Sequence, residues 1–257
     1  MSILRMSKRA YIGIALLLLL ASVPIVLLAR PSLVTIALQP WKDWSEIGYY
    51  HQDNARLIAS PDPERVVFFG DSHIGGWHLG EYFPGKPYVN RGIGGQTTAQ
   101  MLVRFRADVI DLKPKVVLIL GGSNDVLIHL RKLPFEQTVE NYASMADLAR
   151  QHNIKVIFAP VPPVNDDLTQ KWSARLEQPD RIRKLNDWLR NYCAANGCIL
   201  LDYYDQLVNE KGMMKAELSS DGEHFNDEGY KLVSRFAEAA IQSTRTQPAK
   251  NEIRQTE

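Results

Sequence analysis

From Arg65 onward the chain alternates between two hydrophobic periods. Short apolar or β-branched runs stand at Val66–Phe69, Tyr88–Asn90, Val116–Leu120, Val156–Ala159 and Ile199–Leu201. Between and after them run four stripes: Met101/Leu102, Phe105, Val109 and Leu112; Val139, Tyr142, Met145/Ala146 and Ala149; Ile182, Leu185, Leu189 and Tyr192; Leu232/Val233, Phe236 and Ala240. Each stripe keeps the spacing of a helix with one buried face. Strands that read as nearly continuous apolar runs are covered on both faces, as in parallel sheets. The pattern therefore predicts an α/β fold, a three-layer α/β/α sandwich around a five-stranded parallel sheet of flavodoxin-like order. Ligands of such sheets collect at the carboxyl ends of the strands.

Upstream the pattern is different. Tyr11 to Ala29 carries no charge over 19 residues, a helical length of about 28 Å against a hydrocarbon thickness of ~30 Å. Arg5, Lys8 and Arg9 precede it, and the positive-inside rule then makes 1–10 a cytoplasmic N-terminus and 11–29 a transmembrane signal anchor. The catalytic domain would stand on the non-cytoplasmic side, periplasmic or extracellular. A cleaved signal peptide is the competing reading, although Leu27-Leu28-Ala29 matches the small-x-small cleavage pattern poorly. A buried core helix is the third. Residues 30–64, punctuated by Pro31, Pro40, Pro61 and Pro63, read as a linker, 65–244 as the folded domain, and 245–257 as a polar tail.

The balance of 30 basic and 29 acidic residues gives a net charge of +1. That argues against a nucleic-acid partner, which requires a clear basic excess. Cys193 and Cys198, the only cysteines, suit neither a CxxC redox motif nor a zinc site. A local disulfide and two small buried thiols both remain open.

Four polar clusters follow strands or open the last helix: Gly70-Asp71-Ser72-His73, Arg91-Gly92-Ile93-Gly94-Gly95-Gln96-Thr97, Gly121-Gly122-Ser123-Asn124-Asp125 and Asp221-Gly222-Glu223-His224-Phe225-Asn226. All four can converge on one rim. Ester hydrolysis needs a nucleophile beside a base, a group orienting that base, and donors for the tetrahedral oxyanion. Ser72 can supply the nucleophile and a backbone N–H. His224 can take its proton, and Asp221 can fix the imidazole tautomer. Gly95 offers an unobstructed N–H and Asn124 a side-chain amide. Ser72 alone would read as a helix N-cap; Asp221 and His224 change that.

In order and spacing these blocks resemble the SGNH (GDSL) hydrolase superfamily over roughly residues 65–241. The stretch from NRGIGGQTT to GGSND is most similar to the branch containing platelet-activating-factor acetylhydrolase catalytic subunits and related bacterial esterases. The resemblance implies Ser72, His224 and Asp221 as a triad, and an oxyanion hole from the Ser72 and Gly95 N–H groups and the Asn124 amide. It implies no metal and no organic cofactor. The substrate would be a small-molecule, glycan or lipid ester, with short acyl groups such as acetyl removed through an acyl-enzyme. Lysophospholipase or thioesterase action competes with this, as does a non-catalytic glycan- or lipid-binding module on the same fold.

His73 departs from the family, where many members carry Ile or Val, and reads as a residue on the rim of the pocket. His51, His78, His129 and His152 read as surface or capping residues, and no ligand spacing supports a metal site from His73, His78 and His224. Asn226 reads as the N-cap of the last helix. The long loop Pro160–Pro179, with Trp172, is a candidate for shaping the acyl or leaving-group pocket.

Overall fold

The computed structural model describes residues 43–127, 133–168 and 178–246. The expected cytoplasmic stretch 1–10, the apolar stretch 11–29, His129 and Trp172 lie outside the described residues. Among the described residues no helix is long and apolar enough to cross a membrane.

Five strands form the sheet: β1 (Val66–Gly70), β2 (Tyr88–Gly92), β3 (Val116–Leu120), β4 (Lys155–Phe158) and β5 (Ile199–Leu200). Their order is β2-β1-β3-β4-β5, and every pairing is parallel. The helices are α1 (His51–Ala59), α2 (Ser72–Gly75), α3 (Leu79–Tyr82), α4 (Thr98–Phe105), α5 (Ser123–Leu127), α6 (Phe135–Gln151), α7 (Gln178–Asn196), α8 (Tyr204–Leu207) and α9 (Asp227–Thr246).

Alternation along the strands builds the layers. Val67, Phe69, Val117, Ile119, Val156 and Phe158 join one core with Met101, Phe105, Tyr142, Met145, Ile182, Leu185 and Leu189, from α4, α6 and α7. Val66, Phe68, Val116, Leu118, Leu120 and Ile157 join the other with Ile74, Trp77, Val233, Ala237 and Ile241, from α2, α9 and the loop between α2 and α3. Side chains of period two thus fill both faces, which is why the central strands β1 and β3 contain no polar side chain. After α4 the helix widens into a π turn over Arg106–Ile110, which keeps Val109 and Ile110 in the core.

The linker expected over 30–64 is corrected in its described part. Residues 51–59 are helical, and Asn54 on this helix is buried. Arg65 closes the helix from behind, its guanidinium donating to the carbonyls of Leu57 (3.0 Å), Ser60 (2.7 Å) and Leu112 (2.6 Å). Polar residues that looked like a solvated tether have partners in the folded body.

Cys193 and Cys198 are bonded in a disulfide, with Cα atoms 4.5 Å apart. It joins the end of α7 to the start of β5.

Candidate active site

β1 ends on a glycine for a steric reason. A Cβ at Gly70 would stand 1.8 Å from the Leu120 carbonyl oxygen of the neighbouring strand. Asp71 then caps α2, its Oδ1 accepting the His73 N–H at 3.0 Å. Its Oδ2 accepts the Ser123 hydroxyl at 2.5 Å, which ties the cluster after β1 to the one after β3. Ser72 thereby becomes the first residue of α2, at the carboxyl end of a central strand.

Asp221, His224 and Ser72 form a continuous chain of contacts. Ser72 Oγ lies 3.0 Å from His224 Nε2, and His224 Nδ1 lies 2.8 Å from Asp221 Oδ2. The other carboxylate oxygen of Asp221 accepts the backbone N–H groups of Glu223 (2.9 Å) and His224 (2.8 Å). Partial burial alone would raise the Asp221 pKa. The hydrogen bonds from the His224 ring and from these N–H groups outweigh it and hold the carboxyl well below the usual carboxylate range. An ionised carboxylate only accepts, so His224 Nδ1 carries a proton and Nε2 faces the Ser72 hydroxyl.

Asn226 stands where an N-cap was expected: its side-chain oxygen accepts the Gly229 N–H at 3.0 Å, ahead of α9. The Asn165 N–H holds the Gly222 carbonyl at 2.7 Å. The loop bearing His224 is fixed at both ends.

On the other side of Ser72 runs the loop after β2. A Cβ at Gly94 would lie 3.9 Å from the Ser72 Cβ, so this loop passes directly beside the nucleophile candidate. Gly95 has φ +76°, the left-handed region that glycine enters without strain. Asn124 is buried and donates one amide hydrogen to the Gln96 carbonyl at 3.0 Å. An amide nitrogen has two hydrogens, so a second donor remains on the same group. Among the described residues neither the Ser72 nor the Gly95 N–H has an acceptor.

Beneath this loop lies a polar platform that the sequence did not announce. Arg104 is fully buried and donates to the Gly70 carbonyl (2.8 Å), the Arg91 carbonyl (3.0 Å), Gln96 Oε1 (2.5 Å) and Asp108 Oδ2 (2.8 Å). Asn54 joins Asp108 (2.6 Å) to Arg91 (2.9 Å). The Tyr50 hydroxyl donates to the Gly92 carbonyl at 2.6 Å, and Gln96 Nε2 donates to the Ser45 carbonyl at 2.9 Å. Asp125 anchors the start of α4, accepting the Thr98 N–H (3.0 Å) and hydroxyl (2.5 Å).

His73 is a correction. It is 2% exposed rather than a rim residue, because it turns under the His224 loop instead of outward. His51 and His78 are exposed, and His152 caps its own helix by bonding the Leu148 carbonyl at 2.9 Å. No group of three or more His, Cys, Asp or Glu side chains able to hold a metal occurs among the described residues.

Comparison with known proteins bears on the same segment. The profile of the GDSL-like lipase/acylhydrolase family matches residues 68–232. A crystal structure of a GDSL-like lipase from Bacteroides thetaiotaomicron is 34% identical, superposes with a TM-score of 0.71, and shares 78% of this chain and 98% of its own. An acetyl xylan esterase structure, at 22% identity and a TM-score of 0.59 over 69% of this chain and 99% of its own, shares the fold. An uncharacterized lipoprotein of Bacillus subtilis is 34% identical over 120 residues, 39% of this chain. The chain spans about half the length of that relative (49%).

Proposed function

The chain belongs to the GDSL-like lipase/acylhydrolase family, a family of carboxylic ester hydrolases, and we propose that it cleaves esters through a Ser72-His224-Asp221 triad. The observation that carries this reading is the 3.0 Å contact between Ser72 Oγ and a His224 ring whose other nitrogen lies 2.8 Å from Asp221. His224 removes the Ser72 proton as Oγ attacks the ester carbonyl. The N–H groups of Ser72 and Gly95 and the Asn124 amide receive the oxyanion. The imidazolium then protonates the departing alcohol, leaving an acyl-enzyme. Water, deprotonated by the same His224, attacks the acyl carbonyl and releases the acid. No step calls for a metal or an organic cofactor.

We further propose a short acyl group, such as acetyl, on a saccharide or lipid alcohol. Two features support it. The base side of the site is half exposed, with the His224 side chain at 36%, which leaves room for a bulky alcohol. A fold relative is named as an acetyl xylan esterase. The test is a p-nitrophenyl ester series from acetate to palmitate, run beside acetylated xylo-oligosaccharides and lysophospholipids. Highest kcat/KM on acetyl esters supports the short-acyl reading. A maximum at long chains, or on lysophospholipid, replaces it with the lysophospholipase reading.

The domain is also proposed to act outside the cytoplasm, tethered through the apolar stretch 11–29. A disulfide persists in oxidising compartments, and the Bacillus relative is named as a lipoprotein. Protease treatment of intact cells and of spheroplasts checks this: an exported domain is degraded in at least one of the two, and a cytoplasmic one is protected in both.

A further inference from the structure

His73 is a buried titratable group that the proposed chemistry does not use. Its Nδ1 lies 3.2 Å from Asp71 Oδ1, and its Nε2 lies 3.1 Å from the Glu223 carbonyl oxygen. Both partners are acceptors. A carbonyl has no proton to give, and Asp71 already accepts the Ser123 hydroxyl and the His73 backbone N–H. A neutral imidazole carries a single N–H. With one proton, the other ring nitrogen would face an oxygen lone pair at bonding distance, in a place that is 2% exposed. An unpaired contact of that kind is expensive in a protein interior. With two protons every group is satisfied.

We infer that His73 is a protonated positioning residue: its imidazolium bridges the Asp71 carboxylate and the Glu223 carbonyl, and so holds the loop that presents His224 to Ser72. The inference rests on the triad reading for its role, though the protonation state follows from geometry alone. Burial by itself would push the His73 pKa down. The Asp71 hydrogen bond and charge, with the Glu223 carbonyl, more than reverse this and raise it. Asp71 is likewise raised by burial but lowered on balance by His73 and Ser123. Both directions keep the pair charged.

The arrangement gives α2 two adjacent attachments to one loop. Ser72 meets His224, and the next residue, His73, meets the carbonyl just before His224. The two imidazole rings lie 5.3 Å apart at an interplanar angle of 33°. Other groups facing His73 are Phe225, whose ring lies 5.7 Å away, and the Tyr230 hydroxyl of α9, which donates to the His73 carbonyl at 3.0 Å. Having no lone pair and no contact with Ser72 Oγ, His73 moves no proton in the reaction. It sets the reach of the residue that does.

The test uses the full chain with 15N-labelled histidine, the His73 ring signals being assigned by their loss in His73→Ile. The expected result is one ring with both nitrogens protonated from about pH 6 to about pH 8, where a free imidazole with a pKa of ~6.5 loses its proton. In kinetics, His73→Ile should lose about 10²-fold in kcat on p-nitrophenyl acetate while KM moves less than about threefold, as expected for misplacement of a catalytic group. His73→Gln keeps one donor for the Glu223 carbonyl and should recover about a tenth or more of the wild-type kcat. A His73 ring with one bare nitrogen at neutral pH, or His73→Ile as fast as wild type, would overturn the inference. Failure of the triad reading looks different: the wild type itself would then neither hydrolyse the ester nor react with a fluorophosphonate at Ser72. That result removes the role given to His73 and leaves the ring protonation as a separate finding.

Discussion

The His224 side of the site is half exposed, whereas the Gly95 side rests on Arg91, Gln96, Arg104, Asp108 and Asn54, all nearly inaccessible to solvent. The two sides have different jobs in the proposed reaction. The base must exchange protons with water during deacylation, so it stands near solvent. Oxyanion donors act by being fixed before charge develops, and their effect depends on a support that does not reorganise. The buried side holds the loop by charge-assisted bonds to backbone carbonyls. The exposed side aims a ring with a few short bonds. Activity and stability should therefore separate when each side is damaged.

The largest effect is expected from Asp221→Asn. Loss of the carboxylate frees His224 to adopt the wrong tautomer, and kcat should fall about 10⁴-fold. Because Asp221 is exposed, its removal should change unfolding stability by less than about 1 kcal/mol in urea titration. Arg104→Met is the converse. It leaves Asp108 buried without its partner and strips the Gly70 and Arg91 carbonyls of a donor, at an expected cost of about 3–5 kcal/mol in the same titration. If Arg104→Met proved as stable as wild type, the buried platform would not be a support.

Between these lies Asn124→Ala, which removes a donor but no buried charge. Its kcat should drop about 10²–10³-fold with a cooperative unfolding transition retained. The smallest effect concerns pH. The native pKa of Asp221 is depressed, so its stabilising contribution is complete above the ordinary carboxylate value of about 4 and is lost as pH falls through the native value. The gap in urea midpoint between wild type and Asp221→Asn should accordingly be widest near neutrality and close as the solution is acidified below about pH 4. A gap that stays constant to low pH would remove the stabilising role given to that carboxylate.

The same contrast explains what could be read from the sequence. The strands were legible because a parallel sheet demands apolar residues on both faces, and the four polar clusters stood out against them. The rule that ligands gather at strand carboxyl ends then pointed to the segments carrying Ser72, Gly95, Asn124, Asp221 and His224, the family resemblance assigned the individual residues, and the fold brings those segments to one rim. The disulfide, left open in the sequence, is formed. The platform was not legible. Tyr50 and Asn54 sit among prolines and charges that mimic a solvated tether, and only tertiary packing turns them inward. Arg104 lies beside Phe105 on a helix whose apolar stripe says nothing about a buried guanidinium. Its partners, chiefly backbone carbonyls and Asp108, have no signature in residue type. His73 misled for a related reason, since a histidine next to a nucleophile suggests the pocket rim until its two acceptors are known.

In the proposed reaction everything depends on His224 making Ser72 nucleophilic. Peptide mapping of the adduct left by a fluorophosphonate probe, with labelling rates for wild type and His224→Gln, tests it most directly. The expected adduct is on Ser72 in the wild type, formed at least about 10³-fold more slowly once the imidazole is gone. An adduct on another residue, or equal rates in the two proteins, would contradict it.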